Sequence, residues 1–184
     1  MKIFLVIFFF LFQNFANASI LSKIKNNFDS TKSMKFNFVQ KIEGKIERGE
    51  CIVLYPKKIF CKYIDFYNKI LVSNGKSLLI NSDKNNQYYR YPLDRTPLNL
   101  ILNKKFIISK IHKLRNDTNY PFYYVFDLDY KNSSIKIFFN KNNLDLMGWE
   151  TKDIYQNLVQ TFISDIKKNI IIDEKIFNLQ NYIN

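Results

Sequence analysis

The segment YPLDRTPLNLILNKK, residues 91–105, places a run of leucine and isoleucine in a chain that otherwise alternates like β-strands. Thr96 can cap the start of a helix, and Pro97 suits the first turn because a proline has no N–H to leave unpaired. One apolar face is formed by residues at helical spacing, namely Leu98, Ile101 and Leu102. The segment therefore predicts a short apolar helix that ends at Lys104 and Lys105, because cations are favoured at a helix C-terminus.

An apolar helix of about eight residues is not stable alone, so it must dock through its leucines on another part of the chain. The residues leave two interpretations open. The helix can be an ordinary element that covers the core, or it can be a movable lid over an apolar surface. The neighbouring segments decide what it docks on.

Most of the chain on both sides of this helix is predicted as β-strand. KFNFVQKIEG, residues 35–44, alternates apolar and polar side chains with a period of two. Asn74 and Gly75 separate two apolar runs and suit the type I′ turn of a hairpin. Residues 19–33 instead have the i, i+4, i+8 apolar spacing of a helix. Further strands are predicted at 47–55, 59–66, 69–73, 76–81, 87–91, 106–114, 121–130, 133–140, 143–153, 157–166 and 174–180.

The connections between these strands are short and polar, which makes neighbouring strands antiparallel in the simplest arrangement. About eleven strands then form a mainly β, α+β fold: a large antiparallel sheet, curled or half-closed, with helices against one face. Tyr123 and Val125 alternate with Tyr124 and Phe126, so one strand is apolar on both faces. Both faces of the sheet must therefore be covered.

The N-terminus has the pattern of a cleaved secretory signal. Lys2 precedes the apolar run 3–12, and Ala16-Asn17-Ala18 provides the small residues of a cleavage site. The apolar run is too short to span a bilayer comfortably, and no cysteine follows it that could be lipidated. We expect a signal peptide at 1–18 and an exported protein with a single domain at 19–184.

The chain has a formal net charge of +12, from 28 Lys and Arg against 16 Asp and Glu. Such a charge can favour nucleic acid, an anionic membrane surface or an acidic partner. Export and the scattered positions of the lysines argue against nucleic acid. The simplest interpretation is a nucleotide-biased genome, because Lys, Asn, Ile, Phe and Tyr are abundant together.

The sequence has no recognisable catalytic or metal-binding motif. His112 is the single histidine and has no neighbour at ligand spacing, so a zinc site is not expected. Asp127 and Asp129 resemble a carboxylate pair, but two residues apart near a strand end they are better explained as exposed. No phosphate-binding or dinucleotide-binding glycine motif is present among the four glycines. We expect neither an enzyme nor a cofactor.

Cys51 and Cys61 lie near the facing ends of a predicted hairpin and have the same parity. An exported protein meets an oxidising compartment, where a disulfide can form. Strand register decides whether the two residues are close enough, and the sequence does not fix the register. A disulfide is therefore possible but not required.

Several landmarks of the chain, taken in order, resemble the LolA family of periplasmic carriers of outer-membrane lipoproteins. YPLDRTPLNLIL, residues 91–102, resembles the family's PL-x-x-TPL-x-x-LL segment. Other family landmarks are matched by FVQ (38–40), RGECIVLYPKKIFCKY (48–63), ILVSNGKSLLI (70–80), LMGWETKD (146–153) and KIFNLQ (175–180). No single landmark is specific, but their order and spacing cover nearly all of residues 19–184.

This resemblance implies an open, incomplete antiparallel β-barrel whose concave apolar face is closed by a helical lid. It implies a periplasmic monomer that accepts lipoproteins from the inner-membrane LolCDE transporter, shelters their acyl chains, and delivers them to the outer membrane, in some bacteria through LolB. The chain departs from the family pattern at three positions. Tyr55 replaces an arginine that holds the lid closed, Leu79 replaces a tryptophan, and Gln156 replaces a glycine.

Alternation and the family motifs together predict the residues of an acyl-chain cavity. The strand residues are Phe36, Phe38, Val53, Tyr55, Ile59 and Leu79, and the lid residues are Pro97, Leu98, Ile101 and Leu102. For each residue the alternative is ordinary core packing. Rival functions are a periplasmic lipid or lipoprotein sensor, a LolB-type receptor, and a small exported hydrolase. A sensor is disfavoured because it would need a second domain, and a LolB-type receptor because it would need a lipidated cysteine. A hydrolase is disfavoured because no nucleophile and base are paired.

Overall fold

The computed structural model describes residues 19–64, 68–83, 87–112, 117–130, 133–153 and 156–183. The predicted signal peptide, 1–18, lies outside the described residues. No helix within the described residues has the length and apolar character needed to cross a membrane.

Ten strands of the described chain form one antiparallel sheet. Their bounds are β1 Ser33–Ile42, β2 Lys45–Leu54, β3 Lys58–Tyr63, β4 Ile70–Asn74, β5 Ser77–Ser82, β6 Gln87–Pro92, β7 Tyr123–Tyr130, β8 Ser133–Asn140, β9 Leu146–Lys152 and β10 Leu158–Lys168. The order in the sheet is β6-β5-β4-β3-β2-β1-β10-β9-β8-β7. Because β6 and β7 remain the two edges, the sheet does not close, and the expected open, incomplete barrel is confirmed.

Strand β1 joins the two halves of the sheet, pairing with β2 on one side and β10 on the other. Its even-numbered residues face the interior: Phe36 and Phe38 are almost completely buried, whereas Val39 is 45% exposed. Register carries this alternation across the sheet, because residues directly opposite each other share a face. Phe38 lies opposite Gly49 of β2 and Ile163 of β10. The face that contains these residues is called the concave face below.

Three helices cover part of the concave face: α1 Ile20–Ser30, α2 Leu98–Ile101 and α3 Lys104–Lys110. Helix α1 matches the predicted helix, and its N-cap Ser19 accepts a hydrogen bond from the backbone of Ser22 at 3.2 Å. Its apolar stripe buries Ile24 and Phe28.

The leucine-rich helix is shorter than its sequence predicts. It ends at Ile101, and Lys104 and Lys105 begin α3 rather than close α2. The Asn103 side chain caps α3 by accepting from the Phe106 N–H at 3.1 Å, which starts a new helix two residues after the first ends. Thr96 makes no cap, because its hydroxyl donates to the Leu93 carbonyl at 2.8 Å.

Two predicted strands are wrong. The strand predicted at 106–114 is wrong over its described part, since residues 113 and 114 lie outside the described residues. Lys104–Lys110 is helical because Ile107 and Ile111, four residues apart, both bury their side chains on the core. Residues 174–180 form two 3₁₀ turns, Glu174–Phe177 and Leu179–Tyr182, each capped by the side chain before it. Ten of the twelve predicted segments are therefore strands, which gives ten strands within the described residues where about eleven were predicted.

The predicted β4–β5 hairpin is present, with a different turn chemistry. Gly75 adopts φ +95°, the left-handed region that favours glycine. Asn74 keeps negative φ and instead accepts hydrogen bonds on its side-chain oxygen from the N–H groups of Lys76 at 3.0 Å and Ser77 at 2.9 Å. The asparagine therefore closes the turn with its side chain rather than by its backbone conformation.

The opposite, convex face of the sheet is covered in two places. The C-terminal 3₁₀ turns pack Leu179 on Val72 and Leu79, and the ring of Tyr182 lies 5.6 Å from that of Phe60. At the other end of the sheet an aromatic cluster covers β8 and β10; it contains Tyr120, Tyr123, Phe138 and Phe162. The expectation that a sheet apolar on both faces needs cover on both is thus met.

Candidate functional site

A cavity of about 310 Å³ lies between the concave face and the segment that contains α2. Its strand walls are mostly apolar, and they come from both halves of the sheet. The wall residues include Phe36, Phe38, Ile42, Ile59, Leu71, Leu78, Ile80, Trp149 and Val159. The opposing side is supplied by Thr96, Pro97, Leu98 and Ile101.

Strand register explains why these particular residues meet. On the β3–β6 side, Leu71 lies opposite Cys61 and Ile80. On the other side, Thr161 lies opposite both Gln40 and Trp149. Each row of directly paired residues shares the concave face, so β1 to β5, β9 and β10 all contribute to one wall.

Three of the six strand residues predicted for the cavity line it: Phe36, Phe38 and Ile59. Val53 is buried in the core cluster behind the cavity, and Tyr55 is half-buried against that cluster. Neither of these two lines the cavity.

Leu79 lies on the wrong face for the cavity. It is opposite Val72 and belongs to the convex cluster under the C-terminal turns. Its neighbours Leu78 and Ile80 line the cavity instead. In a strand that is apolar at three successive positions, alternation does not identify the inner face, and a one-residue error reverses every assignment.

The predicted lid residues divide between the cavity and the core. Pro97, Leu98 and Ile101 line the cavity, whereas Leu102 is buried in the core with 1% exposure. The carbonyl of Leu102 accepts from the Lys57 N–H at 3.4 Å, which ties the end of α2 to the turn between β2 and β3.

Sequence reasoning missed the contribution of β9 and β10 to the wall. Trp149, Thr151, Val159 and Thr161 all line the cavity. Both segments are predicted as strands, but they join this wall because β10 pairs with β1, between residues more than 100 positions apart, and β9 pairs with β10. The one available signal was the lone tryptophan, which a cavity wall can accommodate at partial burial.

Cys51 and Cys61 are directly opposite each other on β2 and β3 and form a disulfide with a Cα–Cα distance of 4.1 Å. Both residues line the cavity. The bond therefore fixes two neighbouring strands of the wall.

One end of the cavity has a polar rim, which is formed by Gln40, Glu47, Lys69, Lys152 and Asp153. The Lys69 ammonium donates to both carboxylate oxygens of Glu47, at 2.8 and 2.9 Å. It also lies 4.0 Å above the centre of the Tyr63 ring. Burial, with a further contribution from the Glu47 charge, raises the pKa of Tyr63 above its ordinary value.

The α2–α3 segment is attached to α1 by Lys104. Its ammonium donates to the backbone carbonyls of Asp29 at 2.5 Å and Thr31 at 2.8 Å. It also lies 5.4 Å from the centre of the Tyr55 ring. Burial lowers the pKa of Lys104, and the nearby Asp29 carboxylate opposes that shift. The positive charge between α1 and the α2–α3 segment is therefore that of Lys104, and Tyr55 supplies an aromatic surface beside it.

The residues considered for catalysis do not form a site. His112, Asp127 and Asp129 are exposed. Within the described ranges, no group of three or more His, Cys, Asp or Glu is arranged to hold a metal ion.

An open antiparallel half-barrel around an apolar cavity, partly covered by a short leucine-rich helix, defines a class of binding proteins for apolar ligands. A family model described as outer membrane lipoprotein carrier protein LolA matches residues 29–180. The chain belongs to the LolA family. Among curated proteins no sequence matches the chain.

Several solved structures are similar to this chain at low sequence identity. A LolA superfamily protein from Nitrosomonas europaea is 14% identical with a TM-score of 0.48, over 88% of this chain and 98% of that one. A domain assigned as an outer membrane lipoprotein-sorting protein from Vibrio parahaemolyticus is 9% identical with a TM-score of 0.52, over 89% and 97%. A DUF1329 family protein from Desulfovibrio piger is 8% identical with a TM-score of 0.50, over 88% and 96%.

Proposed function

We propose that this protein carries acylated lipoproteins through the periplasm, from the inner-membrane LolCDE transporter to the outer membrane or a LolB receptor there. The acyl chains are sheltered in the cavity between the concave face and α2. Export depends on residues 1–18 as a cleaved signal peptide. The observation that carries the proposal is the apolar cavity closed by Pro97, Leu98 and Ile101 in a chain of the LolA family.

The energetics of an acyl chain support a carrier of this kind. A methylene group occupies about as much space as a liquid water molecule, ~30 Å³, so the cavity has room for at least roughly ten methylene groups. At ~0.8 kcal/mol for each buried methylene, a chain of this length gains roughly 8 kcal/mol on leaving water. That is enough to hold a chain, and a lipid with several long chains would use more of the concave face.

The attachments of α2 support its role as the movable part. The helix has four residues and is too short to be stable by itself. It is held by the Leu102–Lys57 backbone contact and, through α3, by Lys104. Displacing α2 would extend the apolar wall at the cost of the buried packing of Leu100, Ile101 and Leu102.

A lipoprotein-release assay tests the proposal. Spheroplasts that contain the matching transporter are incubated with the purified chain from residue 19, and the soluble fraction is analysed for a complex with acylated lipoprotein. We expect a one-to-one complex that Leu98→Asp abolishes, because a carboxylate would face the hydrocarbon. Leu158→Asp is the matched control, since Leu158 is 52% exposed on β10 and does not line the cavity.

Leu71→Trp is a second variant that fills the cavity without adding charge, and it should also reduce release. Each variant is first checked for native circular dichroism. Absence of any complex with the wild-type chain would reject the carrier role. If the wild-type chain bound free lipid in that case, a lipid-sensing protein would become the better explanation.

A further inference from the structure

The cavity has room for at least one hydrocarbon chain. Its volume, about 310 Å³, is enough for at least roughly ten methylene groups at ~30 Å³ each. Leu98 and Ile101 line its apolar part, and the polar residues lie farther along β1 and β2, where Glu47 is opposite Gln40, one pair before Ile42 and Val159. A ligand with one chain and one polar end matches this polarity.

The ion pair in the rim is unusual for a wall that binds hydrocarbon. Glu47 and Lys69 keep only 13% and 22% of their side-chain area exposed. Removing two charges from water costs free energy that their attraction does not necessarily return, so a buried pair is weak evidence for a stabilising role. Because the pair lines the cavity, both of its charges are available to the polar end of a ligand.

The rim presents both signs of charge. Lys69 and Lys152 supply two cations, and Glu47 and Asp153 supply two carboxylates. Asp153 accepts hydrogen bonds from the backbone and side chain of Asn157, at 2.9 and 3.1 Å. A purely anionic or cationic head group would meet repulsion as well as attraction here. A head group with one positive and one negative charge can complement both.

We propose that the cavity binds a single-chain amphiphile with a zwitterionic head group, such as a lysophospholipid that carries a phosphate and an ammonium. The chain lies between the sheet and α2, and the head group lies at Glu47 and Lys69, with its anion at the lysine and its cation at the carboxylate. The inference rests on the proposed function only in placing hydrocarbon in this cavity.

Four amphiphiles with the same dodecyl chain separate the head group from the chain. Each is tested for displacement of a fluorescent naphthylamine probe from the cavity, below its micellar concentration and at physiological salt. The four amphiphiles are dodecylphosphocholine, dodecyl sulfate, dodecyltrimethylammonium and dodecyl maltoside. We expect dodecylphosphocholine to bind about 10-fold more tightly than each of the others, because its phosphate can accept a charge-assisted hydrogen bond from Lys69 while its trimethylammonium makes an ionic contact with Glu47. The net charge of +12 alone would favour dodecyl sulfate, so the two explanations predict opposite orders.

Paired variants assign the preference to the rim. Glu47→Met with Lys69→Met should bring dodecylphosphocholine to the affinity of dodecyl maltoside and leave the maltoside unchanged. Glu47→Lys with Lys69→Glu keeps both charges and should keep the preference. The control is Lys35→Met with Glu50→Met, an exposed ion pair on the neighbouring strands with a 2.8 Å contact, which should have no effect.

The outcomes separate this inference from the proposed function. Equal affinity for all four amphiphiles, or tightest binding of dodecyl sulfate, would overturn the zwitterion preference and leave the carrier function intact. A preference that survives the Glu47 and Lys69 double substitution would also overturn it. Failure of every amphiphile to displace the probe would count against both, because no hydrocarbon would then enter the cavity.

Discussion

Replacing Lys104 by methionine should loosen the α2–α3 segment. The ammonium donates to two backbone carbonyls at the end of α1, those of Asp29 and Thr31, and only 15% of the side chain is exposed. A hydrogen bond to a charged group contributes about 1.5–3 kcal/mol. Methionine retains the packing of the stem and removes the cost of burying the charge, so the expected net loss is about 2 kcal/mol.

This loss should be local. If the loss of about 2 kcal/mol lowers the free energy of opening of the α2–α3 segment, amide hydrogen exchange of residues 98–110 should accelerate. The expected factor is about 30-fold, because each 1.4 kcal/mol corresponds to a factor of ten. Exchange in the central strands should change much less. Lys105→Met is the matched control, since Lys105 is exposed on the same helix. Lys104 would not be the attachment of the α2–α3 segment if residues 98–110 exchanged at equal rates in the two variants. A uniform increase in amide exchange across the sheet would refute it as well.

Further predictions concern the wall and the convex face. Replacing Cys51 and Cys61 by alanine opens a loop between residues ten apart and should lower the free energy of unfolding by about 2–3 kcal/mol. Unfolding in urea measures this loss, and an unchanged midpoint would contradict the prediction. Gly49→Ala places a Cβ 2.7 Å from the Phe38 ring and 2.3 Å from a backbone oxygen, so we expect a loss of about 3 kcal/mol. Burial and a hydrogen bond to a carboxylate raise the pKa of Tyr120 to about 12 from 10.0. Because the unfolded chain loses this proton first, stability should fall from pH 10 to 12, and less steeply in Tyr120→Phe.

The strands were predictable where the sequence alternates and where turn residues separate them. β1 and the hairpin around Gly75 are examples. The helix α3 was not predictable, because the segment FIISKIHKL is apolar at positions that suit both a strand and a helix. Burial of Ile107 and Ile111 on the core decides in favour of the helix. That information is tertiary, and local propensity does not contain it.

The cavity was predictable in kind but only partly in its residues. Phe36 and Phe38 alternate with polar neighbours, so their face was clear. Leu79 lies in the run Leu78-Leu79-Ile80, where both faces are apolar because the C-terminal turns cover the convex side. Assigning this strand required knowledge of what covers its other face, and the segment that does so had itself been predicted as a strand.

A cargo with several long chains needs more apolar surface than one chain of about ten methylene groups does, and the concave face offers such surface beyond the cavity. The concave face continues past the cavity wall onto the edge strand, where Tyr89 lies opposite Ile80 and Tyr91 lies opposite Leu78. These tyrosines share the face of the wall residues but remain 49% and 41% exposed. A displaced α2 would therefore join an existing cavity to an aromatic surface beside it. Hydrocarbon can pack on the rings while the hydroxyl groups stay in water, so opening extends the binding surface without exposing a wholly apolar one.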